Sequence, residues 1–150
     1  DLNDDVIHLD WDVAVGLNEL RTFAKKCIAE PDIVRTAPTM TYPSRYWYAE
    51  GSASHPWKEE WMARIQMPVG NRVIQRGEPY ANFVGFGLIY LPQWTLKEFT
   101  ESLRGSGNFR DGNFCEWYYK RTSGQPIPVE WGVNAVHINY SFKNALKGLA

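Results

Sequence analysis

His8, Asp10 and Asp12 occupy every second position near the start of the chain. If residues 6–12 are extended, all three side chains project from one face, roughly 7 Å apart, where an imidazole and two hard carboxylates can share a divalent cation. No fourth ligand accompanies them. A plainer use competes: Asp10 or Asp12 caps the first helix, while Asp1, Asp4 and Asp5 form a solvated acidic end. No metal or other cofactor is therefore expected, and His8, Asp10 and Asp12 stand as the sole candidate ligands.

Cys115 and His137 are the next pair with chemical capacity, a thiol nucleophile and an imidazole base on two expected strands. Strand parity separates them. Cys115 shares its face with Trp117 and Tyr119, whereas His137 lies opposite the apolar parity of Val136, Ile138 and Tyr140, so the two groups point to opposite sides of a common core. Cys27 and Cys115 have two readings of their own: one long-loop bridge closing about 90 residues, or two buried thiols acting as small hydrophobes. Glu50, Glu59 and Glu60 lie beside the first aromatic cluster, either as an acid–base carboxylate pair or as solvated loop charges.

Familiar catalytic signatures are missing. The chain has no Gly-x-Ser-x-Gly elbow, no phosphate loop ending in Gly-Lys-Ser/Thr, no Rossmann glycine triplet and no His-Glu-x-x-His helix. The glycines from Gly105 to Gly112 precede an expected strand, which argues against a phosphate cradle.

Aromatic residues supply the other concentrated signal. Tyr42, Tyr46, Trp47, Tyr48, Trp57 and Trp61 fall within one short stretch, and Trp117, Tyr118 and Tyr119 are consecutive. Neighbours on a strand alternate faces, so three consecutive rings cannot all enter one core. With Arg110 alongside, the set Tyr46, Trp47, Tyr48, Trp57, Trp61, Trp117 and Tyr119 is the expected binding surface, since Trp, Tyr and Arg anchor interfaces. The opposing reading folds the 31–58 segment back over the sheet and buries most of these rings.

The elements that must position these groups follow from periodicity. Val13, Leu17, Leu20, Ala24, Cys27 and Ile28 trace one helical stripe over about residues 12–29, ended by Pro31. Residues 31–58, rich in Pro, read as a long connection holding a short strand from Arg45 to Ala49. Alternation from Trp61 to Met67, turn chemistry at Gly70-Asn71 and a second strand near Arg72–Arg76 describe a hairpin. Phe83–Leu91 is apolar on both parities, as a central strand buried on two faces would be, and Gly85 and Gly87 inside it mark a bulge or the close approach of another backbone or a ligand. Thr95 and Glu98 form a capping-box pattern, with Trp94 stapled onto Phe99, for a helix over about 96–104 ended by Gly105. Strands are expected at about 114–121 and 129–142.

The expected architecture is α+β in a single domain over 1–150. It comprises a curved, mainly antiparallel sheet of about five to six strands, with the N-terminal helix and the second helix packed on one face.

Composition narrows the function classes. The 150 residues are 44% apolar and 22% charged, with 7 Trp, 8 Tyr and 7 Phe and a net charge of −1. That excludes disorder as the dominant state. No apolar run approaches the ~20 residues of a membrane-spanning helix. The chain opens at Asp1, without Met and without a basic or apolar leader pattern, so either a segment has been removed or this is an excised domain. The charge is split: residues 1–30 carry seven acids against three bases, and the remainder ten acids against thirteen bases. A pI near 6.3 gives no strong phosphate-binding footprint.

The function expected is therefore non-catalytic binding through an aromatic and arginine surface, for a protein partner or self-association. A glycan or single-stranded nucleic acid is the further alternative. The competing class is a small hydrolytic enzyme, either metal-dependent through His8, Asp10 and Asp12 or carboxylate-based near Glu50 and Glu59.

Overall fold

Strand β10 (Leu88–Leu91) is buried along its whole length, and its two faces enter different cores. Leu88 and Tyr90 join Val13, Phe23, Cys27, Ala37, Val133 and Ala135. Ile89 and Leu91 join the larger cluster that includes Leu96, Phe99, Phe114, Tyr118 and Ile127. A computed structural model supplies this geometry and describes residues 3–41, 60–61, 63–105, 109–133 and 135–137. The fold is α+β. Among the described residues no helix is long and apolar enough to cross a membrane.

Three helices and twelve short strands appear among the described residues. The strands are β1 (Val6–Leu9), β2 (Val13–Val15), β3 (Arg35–Thr36), β4 (Thr39–Thr41), β5 (Glu60–Trp61), β6 (Ala63–Gln66), β7 (Asn71–Val73), β8 (Tyr80–Ala81), β9 (Phe83–Val84), β10, β11 (Ile127–Pro128) and β12 (Ala135–His137). The helices are α1 (Leu17–Ala29), α2 (Gln93–Leu103) and α3 (Asp111–Arg121). Instead of one sheet of five to six strands there are four small sheets, ordered β1-β10-β3, β11-β8, β2-β12-β4-β5 and β7-β6-β9. Pairing is antiparallel except between β12 and β4 and at an isolated bridge from Thr36 to Val129.

The helices also distribute differently from the expected one-face layer. Side chains alternate along β10, so α1, through Phe23 and Cys27, covers one face of it, while α2 and α3, through Leu96, Phe99 and Phe114, cover the other. α1 is shorter than its stripe. Residues 13–15 pair with β12, and Gly16 caps the helix, its N–H donating to Glu19 Oε2 at 3.3 Å, so neither Asp10 nor Asp12 has that role.

The expected central strand over Phe83–Leu91 is broken into β9 and β10, which belong to different sheets. Gly85 and Gly87 lie in the break. A Cβ on Gly87 would meet the buried Thr39 side chain, with Thr39 Cβ at 2.9 Å and Cγ2 at 3.0 Å, so what approaches this glycine is a side chain rather than the expected backbone or ligand. The hairpin of β6 and β7 forms around Gly70, at φ 72°, with Met67 N–H donating to Gly70 O, but Trp61 is not part of its first strand as expected: it belongs to β5, which pairs with β4 in another sheet.

α2 starts three residues earlier than the capping box implied. Pro92 is its N-cap, Thr95 Oγ1 donates back to Pro92 O at 2.7 Å, and the free N–H of Gln93 is taken by Asp5 Oδ1 at 2.9 Å. Glu98 instead pairs with Arg121 of α3. Arg104 at φ 44° and Gly105 at φ 79° close the helix in left-handed backbone.

The expected strand at 114–121 is a helix. Phe114, Cys115 and Tyr118 form its buried side, Asp111 sits in its first turn, and Lys120 and Arg121 in its last, matching the helix dipole. The strand Arg45–Ala49 and the end of the 129–142 segment lie outside the described residues.

Gly87→Ala is expected to lower the free energy of unfolding by about 1–3 kcal/mol through overpacking against Thr39. Gly132→Ala, with open space around its Cβ position, is the matched control in the same urea titration and should change it far less.

Candidate functional site

The expected binding residues do not assemble into one surface among the described residues. Tyr46, Trp47, Tyr48 and Trp57 lie outside those residues, as do Tyr42, Glu50 and Glu59. Trp61 is buried, edge-on to Trp131 at 4.8 Å between centroids, with the Arg76 guanidinium 5.3 Å above its ring. Arg110 is exposed at the N-cap of α3.

Trp117, Tyr118 and Tyr119 avoid the crowding that a strand would impose, because helical steps of about 100° fan them around one buried direction. Tyr118 is fully buried, and its two neighbours are half-buried beside it. Trp117 packs on Trp94, Phe99 and Phe114, while Tyr119 stacks on Phe83 at 6.0 Å. Phe114 is the hub, with Phe86, Phe99, Phe109, Trp117 and Tyr118 all within 6.2 Å. These rings are therefore mainly packing between α2, α3 and β9.

The groups with chemical capacity are occupied. His8 Nε2 and Asp10 Oδ1 are 3.2 Å apart, but Asp12 does not complete a ligand set: no three His, Cys, Asp or Glu side chains gather to hold a metal ion among the described residues. Cys27 and Cys115 are both free and buried, in different clusters. Cys115 lies on α3, not on a strand, and its Sγ accepts from Val84 N–H at 3.3 Å and donates to Val84 O at 3.4 Å. Burial pushes both thiols from an ordinary value near 9 up to about 11, which opposes thiolate chemistry. His137 is in β12, in register with Val13, and the backbone gives it no link to Cys115.

The glycines before α3 do precede a helix, which removes the sequence argument against a phosphate cradle. A different one replaces it, because the Asp111 carboxylate accepts from Gly112 N–H at 2.7 Å and already fills that terminus with negative charge.

One charged group was missed by sequence reasoning. Glu130, almost buried, takes Lys26 and Arg35 as ion-pair partners, and the buried Arg35 also reaches Glu30. Burial pushes the Glu130 carboxyl up, but the hydrogen bonds from Lys26 and Arg35 outweigh it and hold the carboxyl below its ordinary range. Glu30, Arg35 and Glu130 form the polar floor of an open pocket of about 480 Å³, rimmed by Pro79, Tyr80, Pro126 and Pro128. The two acids neutralise the two bases, so the pocket has no uncompensated charge to offer a ligand. Pairings across some hundred residues leave no local pattern.

What remains is apolar and exposed. Ile7, Leu9, Trp11, Leu17 and Ile28 are large apolar side chains that are 38–83% accessible. No protein-family model matches the chain. No match is found among curated proteins or solved structures. The exposed residues must therefore be read from their own geometry.

Ile7 and Leu9 stand in register with Tyr90 and Leu88 and so share the β10 face that α1 covers. Lys26 fixes which way α1 is turned, because its partner Glu130 hydrogen-bonds through its N–H to Thr36 of β3. At about 100° per residue, Leu17, Ala24 and Ile28 lie on the opposite flank of that helix. The exposed apolar set is thus Ile7 and Leu9 on β1, Trp11 in the turn after it, 83% exposed, and Leu17 and Ile28 on the flank of α1 away from Lys26.

Two measurements test the buried charge and thiols. Glu130→Ala should cost about 3–5 kcal/mol, because Arg35 is left buried with one carboxylate partner fewer. The native state holds both thiols protonated, so their contribution is complete below the unfolded value of about 8.5 and is lost as pH rises toward the folded value. Urea midpoints should therefore fall between about pH 9 and 11, and the double variant Cys27→Ala with Cys115→Ala should flatten that limb.

Proposed function

We propose that this chain is a non-catalytic binding domain whose target is a protein. The exposed apolar side chains of Ile7 and Leu9 on one face of β1, with exposed Trp11 just beyond the strand and Leu17 and Ile28 exposed on α1, carry this reading. Large hydrophobic side chains left in water favour removal from it by about 25 cal/mol per Å² buried, and a partner supplies that removal. The chemistry-bearing groups give no comparable support to an enzyme. Cys27 and Cys115 are buried and protonated, and the carboxylates of Glu30, Glu78, Glu98 and Glu130 are all held in ion pairs with basic side chains.

Trp11 is the natural anchor, as a rigid, exposed indole beside smaller apolar residues. Arginine and aromatic residues of the 42–61 segment, with Trp47 and Trp57 foremost, are further proposed contacts on the strength of their composition alone.

Capture from the native source by immobilised protein tests the reading. Trp11→Ala should weaken capture of a specific protein by at least about tenfold, near 2 kcal/mol, with a melting temperature within a few degrees of wild type. Capture indifferent to Trp11→Ala, Trp47→Ala and Trp57→Ala alike would overturn it.

A further inference from the structure

We infer that strand β1 is a docking edge for an extended peptide segment that alternates apolar and basic residues, added to the sheet as a further strand beside β1. This rests on the binding-domain reading and names the chemistry of its partner. The sheet order β1-β10-β3 puts β1 at an edge, with no strand on its other side among the described residues. Asp10 N–H donates to Gly87 O at 3.0 Å, one step beyond the Leu9–Leu88 pair. Hydrogen-bonded and non-hydrogen-bonded pairs alternate along an antiparallel ladder, so Val6 and His8 also bond inward to β10. The backbone N–H and C=O groups of Ile7 and Leu9 consequently point outward, away from β10.

The same two residues have the exposed apolar side chains. An incoming strand would find backbone partners at Ile7 and Leu9 and, on the face that β1 shares with Leu88 and Tyr90, an apolar shelf of the exposed Ile7 and Leu9 side chains for every second side chain of its own. Protein edges left open in this way are usually guarded by charge, and here the guards have one sign. Asp4 and Asp5 precede the strand, and Asp10 and Asp12 follow it. Asp5 is engaged at the start of α2 and Asp10 with His8, while Asp4 stands exposed. The bases Arg21 and Lys25 of α1 are exposed on the solvent side of that helix.

That distribution selects the occupant. A second copy pairing antiparallel through β1 would set Asp4 and Asp5 of one chain against Asp10 and Asp12 of the other, an opposition of like charges. A segment with Lys or Arg between its apolar residues meets the same acids as partners.

The probe is a fluorescein-labelled Val-Lys-Val-Lys-Val-Lys-Val peptide, compared by anisotropy with its Glu-for-Lys counterpart at low and high salt. The basic peptide should bind at least about tenfold more tightly than the acidic one at low salt, with the margin shrinking at high salt. Its binding should slow hydrogen exchange at the Ile7 and Leu9 amides, and Leu9→Lys should reduce it about tenfold or more. The paired reversal Asp4→Lys with Asp12→Lys keeps the apolar shelf and should shift preference toward the acidic peptide.

Equal binding of both peptides, unchanged exchange at Ile7 and Leu9, or indifference to Leu9→Lys in a folded variant would overturn the inference. So would concentration-dependent dimerisation that Leu9→Lys abolishes, which would assign the edge to a second copy. Native-partner capture that needs Trp11 but tolerates Leu9→Lys would remove the strand edge and leave the binding domain standing. Capture indifferent to Trp11→Ala, Trp47→Ala, Trp57→Ala and Leu9→Lys alike would remove both.

Discussion

The two-sided burial of β10 is the constraint from which the rest of the structure follows. Four residues, Leu88 to Leu91, are removed from water on both faces, so each face must be roofed by a separate element. α1 roofs Leu88 and Tyr90, while α2 and α3 roof Ile89 and Leu91. The strand's two neighbours then differ in exposure. β3 is enclosed by the Arg35–Glu130 pairing and by the bridge from Thr36 to Val129, while β1 is left at the margin.

The polar interior depends on that arrangement. Lys26 projects from α1, Arg35 from β3 and Glu130 from the segment after β11, and they meet only because α1 lies over the β3 side of the sheet. A buried carboxylate without its bases would carry a large desolvation cost, so the network favours one docking of α1 over others that would satisfy the apolar stripe equally. The same docking leaves Leu17 and Ile28 exposed on the flank of α1 opposite Lys26. Their exposure and the enclosure of Glu130 are thus two consequences of one helix orientation.

Much of the local structure was legible in the residues. The Ala63–Gln66 strand, the turn at Gly70 and the end of α2 at Gly105 each rest on neighbours in sequence. α3 was misread because Phe114, Trp117, Tyr118 and Tyr119 are strong strand formers, and that propensity outweighed two helical signals. One is the four-residue step from Phe114 to Tyr118, and the other is Asp111 ahead of Lys120 and Arg121. The N-terminus of α2 was misplaced because its cap comes from Asp5, 88 residues away.

The sequence alone determined an α+β chain of turns, short strands and amphipathic helices, since periodicity, glycine and proline act within a few residues. It also determined that no familiar catalytic motif is present. Only the tertiary structure decided which acids are neutralised, which thiols are sealed and which rings are core, because burial and pairing depend on contacts between distant segments. It likewise decided that Ile7, Leu9 and Trp11 face water. Their types are those of a core, and the place of β1 at the edge of its sheet leaves Ile7 and Leu9 outside one, while Trp11 lies in the turn that follows.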